Sequence, residues 1–185
     1  MATLDIYNPA SGQLITTLAA DDEISVAAKA AAARAAQPAW AALPMDQRLA
    51  TVRAFRAGLV AEVDSLAATL TQEMGKPITQ AKGEINGLLP RIDFFLEQAE
   101  RSVADEHVFS SGGVHEQISH IALGVVANIS AWNYPYFVGC NVILPALLTG
   151  NAVLYKPSEH ATLTGLNIAR LLHAAGVPKD RKSVV

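Results

Sequence analysis

Cysteine is nearly absent from this chain of 185 residues, in which Cys140 is the only one. One cysteine excludes an internal disulfide framework and a cysteine-based zinc site, and it favours a reducing compartment. The five histidines include no i, i+4 pair and no other spacing typical of metal ligands, so no metal site is expected.

Charged residues are also few, at 17% of the chain, and the 14 basic side chains are outnumbered by 17 acidic ones. This balance excludes nucleic-acid binding by bulk positive charge. Aromatic residues make up 6% and hydrophobic residues 51% of the total, and a chain this apolar is expected to fold.

Long hydrophobic runs are missing as well. The longest apolar stretch, from Tyr134 to Leu148, is too short for a membrane span and contains Gly139, Asn141 and Pro145. The N-terminus has no basic segment followed by an apolar run, so no signal peptide is predicted. The expectation is a soluble cytoplasmic protein without membrane contact.

The first hundred residues are dominated by helical patterns. Alanine is abundant in the first of them, and apolar side chains recur every three or four positions in the second. Asp21 and Asp22 offer N-caps for the first helix, Pro38 is expected to end it, and Pro90 is expected to kink or split the third. The prediction is two short strands within residues 1–20 and helices over 24–36, 46–74 and 77–104.

A polar β-hairpin is predicted next, over residues 108–121, with its turn at 110–113. Its strands bring little apolar surface of their own, and such a hairpin is marginal in isolation. We therefore expect it to pack against another subunit or another part of the protein.

From residue 123 the pattern changes to strand, helix, strand, helix. The predicted strands cover 124–130 and 151–155, and the predicted helices cover 135–148 and 162–175. The first strand is continuously apolar, which is typical of a parallel sheet buried on both faces. The crossover between two such strands is right-handed by default.

A loop follows each strand, at the edge where open parallel sheets bind ligands. In the first loop, Asn133 offers an amide donor beside the free backbone N–H groups of a helix start, which suits a developing oxyanion. In the second, Lys156 and Glu159 can donate to and accept from a diol such as a ribose. Neither loop has a GxGxxG or Walker pattern.

Each of these residues also has a purely structural interpretation. Asn133 is a favoured helix cap, and Lys156 with Glu159 could form an ordinary surface ion pair. Cys140 is a tempting nucleophile, but its position in the middle of a buried helix favours a small hydrophobe with a raised pKa.

Several motifs resemble, in order and over nearly all of residues 1–179, those of the aldehyde dehydrogenase superfamily. They are Tyr7-Asn8-Pro9, Gly12, Trp40, Arg48, Glu73-Met74-Gly75-Lys76-Pro77, Trp132-Asn133-Tyr134-Pro135, Pro145-Ala146-Leu147-Leu148-Thr149-Gly150-Asn151, Lys156-Pro157-Ser158-Glu159 and Ala175-Gly176-Val177-Pro178. The resemblance implies the N-terminal part of that α/β fold. Its divisions would be a mostly helical region (1–106), a β-hairpin oligomerisation arm (107–122), the start of a Rossmann-like parallel sheet (123–179) and an atypical tail (180–185).

The resemblance also implies oxidation of an aldehyde to a carboxylic acid with NAD or NADP, through a cysteine thiolate and a glutamate-activated water. It makes Asn133 the oxyanion-hole amide and turns Tyr134, Phe137 and Val138 towards the aldehyde. It assigns the cofactor to Ser130, Ala131, Trp132, Asn133, Lys156, Ser158 and Glu159. The carboxylate of Glu159 suits a free ribose 2′-hydroxyl and would repel a 2′-phosphate, so NAD is favoured over NADP. A homo-oligomer is implied for the full-length enzyme.

The chain also departs from the family pattern. Members are more than twice as long, and their catalytic domain, with the glutamate base and the cysteine nucleophile, would lie beyond Val185. Residues 180–185 do not resemble the apolar strand expected there, which indicates a truncation or a frameshift. Val142 stands where many members carry a lysine. We therefore expect an N-terminal part that is inactive alone, or else a catalytically dead nucleotide-binding or interaction fragment, or the product of a disrupted gene.

Overall fold

The structure, a computed structural model, describes residues 2–178. Strands β1 (Thr3–Tyr7) and β2 (Leu14–Ala19) precede helices α1 (Glu23–Ala41), α2 (Met45–Ala61), α3 (Val63–Met74) and α4 (Ile78–Ser102). Strands β3 (Glu106–Ser111), β4 (Val114–Ile118) and β5 (Val125–Ile129) follow, then helix α5 (Pro135–Leu148), strand β6 (Ala152–Lys156), a 3₁₀ turn (Glu159–Ala161) and helix α6 (Thr162–Ala174). The tail predicted at 180–185 lies outside the described residues.

The strands form three two-stranded sheets. β1 pairs with β2 and β3 with β4, both antiparallel, whereas β5 and β6 are parallel, from Val125 opposite Ala152 to Ile129 opposite Lys156. The predicted strand–helix–strand–helix order is therefore confirmed. Burial of the sheet on both faces is wrong for residues 2–178, because Ile129 is 80% exposed.

Two prolines that were predicted to end or kink helices lie inside continuous helices. Pro38 is within α1 and Pro90 within α4. A proline removes the hydrogen bond to the carbonyl four residues earlier, here that of Arg34 or Asn86. Both prolines and both of these residues are exposed, so water can reach the side of the helix where the bond is lost. The prediction that α1 ends at Pro38 and that Pro90 splits the third helix is wrong.

The single helix predicted over residues 46–74 is also wrong, because the backbone leaves helical geometry at Glu62 (φ −114°, ψ 14°). The two halves pack on different neighbours. α2 lies against α4, α5 and α6, whereas α3 lies against α4, α6 and the 3₁₀ turn. The guanidinium of Arg170, on α6, pairs with the Glu62 carboxylate at the break, with Nη1 donating to Oε1 over 3.1 Å. The apolar spacing continues through this break, which is why it predicts one helix.

The core lies between α2–α4 and α5–α6. Its largest fully buried side chains include Phe55, Leu59, Tyr136, Leu144 and Ile168. Helix α5 sits in the middle and is apolar on nearly every side, as expected for a buried helix.

Side chains of the helical N-terminal region hold the C-terminal end of α5. Trp40 Nε1 donates to the carbonyl of Leu147 at 2.8 Å, and Arg48 Nε donates to that of Leu148 at 2.9 Å. The last carbonyls of a helix lack partners within the helix. The Leu147 carbonyl also accepts the N–H of Gly150 at 3.1 Å, and Arg48 provides a donor for the Leu148 carbonyl. This fixes the end of α5 that leads into β6.

The predicted hairpin is confirmed as β3–β4. Its turn is the pair Gly112 and Gly113, both with positive φ (58° and 82°), as a two-residue hairpin turn requires. Every residue of both strands is exposed. Within residues 2–178, neither strand therefore contributes a buried residue to the core.

None of the helices within residues 2–178 combines the length and the hydrophobicity that a membrane span requires.

Candidate functional site

The two predicted loops lie side by side at the carboxyl edge of the parallel pair. Ser130, at the end of β5, donates its backbone N–H to the carbonyl of Lys156, at the end of β6, over 3.0 Å. One step further on, the rings of Trp132 and His160 meet edge to face, with centroids 6.1 Å apart. The parallel register thus places the loop of Asn133 beside the loop of Lys156 and Glu159, although the sequence separates Asn133 from these two residues by 23 positions or more.

Asn133 stands exposed at the tip of the first loop. The N-cap residue of α5 is Tyr134, and no side chain of the cap residue bonds to the helix start. The interpretation of Asn133 as the helix cap is therefore wrong. Within residues 2–178, the Asn133 side-chain amide has no hydrogen-bond partner, so its N–H groups are available to a ligand.

The backbone N–H groups at the start of α5 are not free, contrary to the prediction. Glu84, a buried residue of α4, accepts hydrogen bonds at Oε1 from the N–H of Tyr136 (2.8 Å) and of Phe137 (3.3 Å). Its other oxygen, Oε2, pairs with the ammonium group of Lys76. The helix start is thus occupied by a protein carboxylate, and of the two predicted sources of oxyanion stabilisation only the Asn133 amide remains open.

Lys76 and Glu84 are functional candidates that the sequence reasoning missed. Lys76 entered the sequence analysis only within the motif Glu73-Met74-Gly75-Lys76-Pro77, with no role of its own. A signal for Glu84 exists, because it lies three positions after Ala81 and four before Leu88 on the buried stripe of α4. A carboxylate on an apolar stripe implies a buried partner, since an unpaired buried charge is too costly.

Lys156 and Glu159 face each other across the second loop, with Nζ 3.5 Å from Oε2, and their side chains are 46% and 58% exposed. This is longer than a well-formed charge-assisted hydrogen bond, so the two groups can separate around a ligand. Ser158, which lies between these two residues in the sequence, is buried. Its hydroxyl accepts the backbone N–H of His160 at 3.2 Å and donates to Glu159 Oε2 at 3.3 Å. A hydrogen bond from its own backbone and the charge of Lys156 lower the pKa of Glu159, so it is ionised at neutral pH.

The residues predicted to face the aldehyde lie on one side of the start of α5. Tyr134 and Val138 are exposed, Phe137 is half-buried, and Val142 continues the same stripe one turn further. Spacings of three and four residues put side chains on one helix face. The stripe adjoins Asn133, and its contact with an aldehyde stays a prediction.

Cys140 is fully buried in α5. Burial, and secondarily the negative charge of Glu84, raise the pKa of its thiol far above the ordinary range. A buried, protonated thiol is a poor nucleophile. The geometry therefore supports the structural interpretation of Cys140.

No group of three or more His, Cys, Asp or Glu side chains that could hold a metal ion occurs within the described range, 2–178.

The sequence matches the aldehyde dehydrogenase family over residues 1–185, so the chain belongs to that family. Among curated relatives, it is 38% identical to the 3,6-anhydro-alpha-L-galactose dehydrogenase of Streptomyces coelicolor, over 99% of this chain and 37% of the relative. The resemblance drawn from the motifs is thereby confirmed.

Solved structures agree on the fold. An NADP-dependent enzyme from E. coli superposes with a TM-score of 0.93 at 30% identity, covering 100% of this chain and 38% of that one. A NAD-dependent benzaldehyde dehydrogenase from Corynebacterium glutamicum gives 0.91 at 28% identity, covering 99% and 40%. The N-terminal part of the aldehyde dehydrogenase fold is confirmed, and the chain spans two fifths or less of the length of these proteins.

Proposed function

We propose that this chain provides the oxyanion-binding amide and the ribose-binding pair of an enzyme that oxidises an aldehyde to a carboxylic acid with NAD. The observation that carries the proposal is the juxtaposition at one sheet edge of the open Asn133 amide and the exposed Lys156–Glu159 pair. The membership of the aldehyde dehydrogenase family supports the reaction class.

The second loop fits the ribose of a dinucleotide. A ribose diol needs one donor and one acceptor within reach, and the Lys156 ammonium and Glu159 carboxylate supply them. Because Glu159 is ionised, a 2′-phosphate would meet a like charge, and NAD is therefore preferred over NADP. The names of the structural neighbours include both an NADP-dependent and a NAD-dependent enzyme. In this proposal the preference of the present chain depends on Glu159.

The first loop completes the cleft. In this proposal Ser130, Ala131 and Trp132 line the cofactor side with Lys156, Ser158 and Glu159. A dinucleotide bound there would supply the hydride acceptor for the oxidation. Asn133 donates its amide N–H to the aldehyde oxygen as negative charge develops on it. Tyr134, Phe137 and Val138 provide an apolar wall for the aldehyde. The same proposal includes the division of the chain into a helical region (1–106), an oligomerisation arm (107–122) and the start of the cofactor-binding sheet (123–179).

We further propose that the 185 residues do not turn over aldehyde by themselves. Their one thiol, that of Cys140, is buried, and the reaction needs an accessible thiolate. Dinucleotide binding is then the most that these residues achieve alone. The oxidation of aldehydes is thus proposed for the complete enzyme, and only dinucleotide binding for the isolated chain.

The β3–β4 hairpin is the proposed oligomerisation arm of the complete enzyme, which would act in the cytoplasm. Apolar side chains stand exposed along it, among them Val108, Phe109 and Ile118. Exposed apolar side chains on a hairpin without a core of its own favour docking on a second subunit.

The proposal is tested by two measurements on the purified chain. Aldehyde-dependent NADH formation is followed with aliphatic and aromatic aldehydes, and no turnover is expected. Thermal unfolding is then measured with NAD or NADP, and NAD is expected to raise the midpoint more. Glu159→Gln should reduce that difference. Turnover abolished by Cys140→Ser would show that the nucleophile has been misplaced, and equal protection by both cofactors would contradict the NAD preference.

A further inference from the structure

We propose that Lys76 and Glu84 are positioning residues that hold the backbone of Asn133, so that its amide projects into the cleft in one orientation. The inference rests on the proposed function of Asn133. It concerns two buried, oppositely charged side chains that belong to α4 and the segment before it, outside the two loops of the site.

Lys76 contacts the first loop at two points. Its Nζ donates to the backbone carbonyl of Asn133 at 2.9 Å and lies 3.7 Å from the centre of the Tyr134 ring. The residue is 7% exposed, so the ammonium is almost completely removed from water. A cation over an aromatic face is strongest when desolvated, which makes this a directed contact and more than a screened surface attraction.

Glu84 holds the other side of the loop. One of its oxygens binds Lys76, and the other accepts the N–H groups of Tyr136 and Phe137, in the first turn of α5. A carboxylate at this end of a helix also interacts favourably with the helix dipole. The position of Glu84 in α4 thus sets where α5 begins.

Together the pair fixes the peptide on both sides of the Asn133–Tyr134 bond. The carbonyl of Asn133 is held by Lys76, and the helix that starts two residues later is held by Glu84. The Asn133 side chain itself is left unbonded among residues 2–178. An oxyanion donor of this kind acts only if its direction is set before the charge develops.

Stability alone does not account for such a pair. Replacing a buried ion pair by apolar residues of similar volume is often neutral or stabilising, whereas removing one partner leaves an unpaired charge. The bonds to the Asn133 carbonyl and the α5 amides are specific to a lysine and a carboxylate. An apolar pair could fill the same space but could not orient the loop.

The test is hydrogen exchange of residues 130–138, with acrylamide quenching of Trp132 as a second reporter. Trp132 is 53% exposed and Trp40 only 5%, so quenching of the native chain reports mainly on the loop. The principal variant is the double change Lys76→Met with Glu84→Met, which leaves no unpaired buried charge. Its amides at Tyr136 and Phe137 should exchange about tenfold faster or more, as expected when hydrogen bonds to a charged group are lost.

Two controls separate positioning from general destabilisation. Lys82 lies on α4, as Glu84 does, and forms an exposed ion pair with Asp64 of α3. Lys82→Met removes this pair and should leave the loop unchanged. Lys76→Arg alone keeps the charge and should retain part of the protection that the double variant loses. Exchange of core amides on α2 should stay as in the native chain. Loop exchange that is unchanged in the double variant, or that rises only in proportion to exchange of the core, would overturn the proposal. Neither readout involves aldehyde or cofactor, so failure of the proposed function would appear separately.

Discussion

The side chain of Glu73 accepts a hydrogen bond from the backbone N–H of Thr164 over 2.7 Å, although the two residues are 91 positions apart. It also accepts the N–H of Leu163 at 2.7 Å and the hydroxyl of Thr164. These groups belong to the first turn of α6, so Glu73 caps α6 as Glu84 caps α5. In both cases a carboxyl group from the helical N-terminal region fixes the start of the helix that follows a site loop.

Replacing Glu73 with alanine should destabilise the chain by about 3 kcal/mol, because three donors at the start of α6, two of them buried, lose their acceptor. Urea unfolding followed by circular dichroism measures the change. Glu97→Ala is the matched control, since Glu97 is an exposed glutamate in α4. The control should change the free energy of unfolding by less than about 0.5 kcal/mol. Equal effects of the two changes would show that the cap is not used.

Glu73 should also make stability depend on pH. Burial raises its pKa above the ordinary value of 4.5, and the hydrogen bonds from Thr164 and Leu163 oppose the rise. A raised pKa means that the folded state binds the proton more tightly than the unfolded state does. The stabilisation from this proton is fully present below pH 4.5 and is lost as pH rises through the folded-state pKa.

The comparison that isolates this effect is the native chain against Glu73→Gln, which cannot titrate at this position. The free energy of unfolding of the native chain should fall relative to the variant as pH rises from about 4 to about 8. Urea titrations at several pH values measure it. A difference that stays constant, or that grows in favour of the native chain, would contradict the prediction.

The close approach of Gly165 to Pro157 should determine the position of the second loop. A Cβ at Gly165, in α6, would lie 2.5 Å from Cβ and 2.6 Å from Cγ of Pro157, whose ring cannot rotate away. Gly165→Ala should therefore destabilise the chain by about 1–3 kcal/mol and displace the loop that carries Lys156 and Glu159. In Gly83→Ala the new methyl group meets nothing within 4 Å, and this change in α4 should stabilise by about 0.5–1 kcal/mol. Thermal unfolding of the two variants should give midpoint shifts of opposite sign.

Much of this fold was predictable from local pattern. The helix starting at Pro135 and the glycine turn of the hairpin depend on neighbours a few residues away. The pairing of Val125 with Ala152 is not local, but the strand–helix–strand pattern that predicts it can be read from each segment in turn. The failures involve distant parts of the chain. Continuity through Pro38 and Pro90 depends on which helix face meets water. The caps provided by Glu73 and Glu84 depend on α3 and α4 packing beside α5 and α6. A one-dimensional pattern places these carboxylates on apolar stripes but does not identify the helix that each will cap.

Cys140 provides a test of the buried helix on which both loops depend. The thiol is fully buried, and burial together with the charge of Glu84 raises its pKa, so little thiolate is present at neutral pH. Iodoacetamide should therefore label the native chain far more slowly than the chain unfolded in urea, with a rate limited by opening of the fold. Mass spectrometry over time measures the labelling. Raising the pH from 7 to 9 should accelerate labelling of the unfolded chain strongly, because a free thiol titrates near about 8.5, and change native labelling only as far as it changes stability. Rapid stoichiometric labelling of the native chain at neutral pH would mean that α5 is open to solvent, and Cys140 would again be a candidate nucleophile.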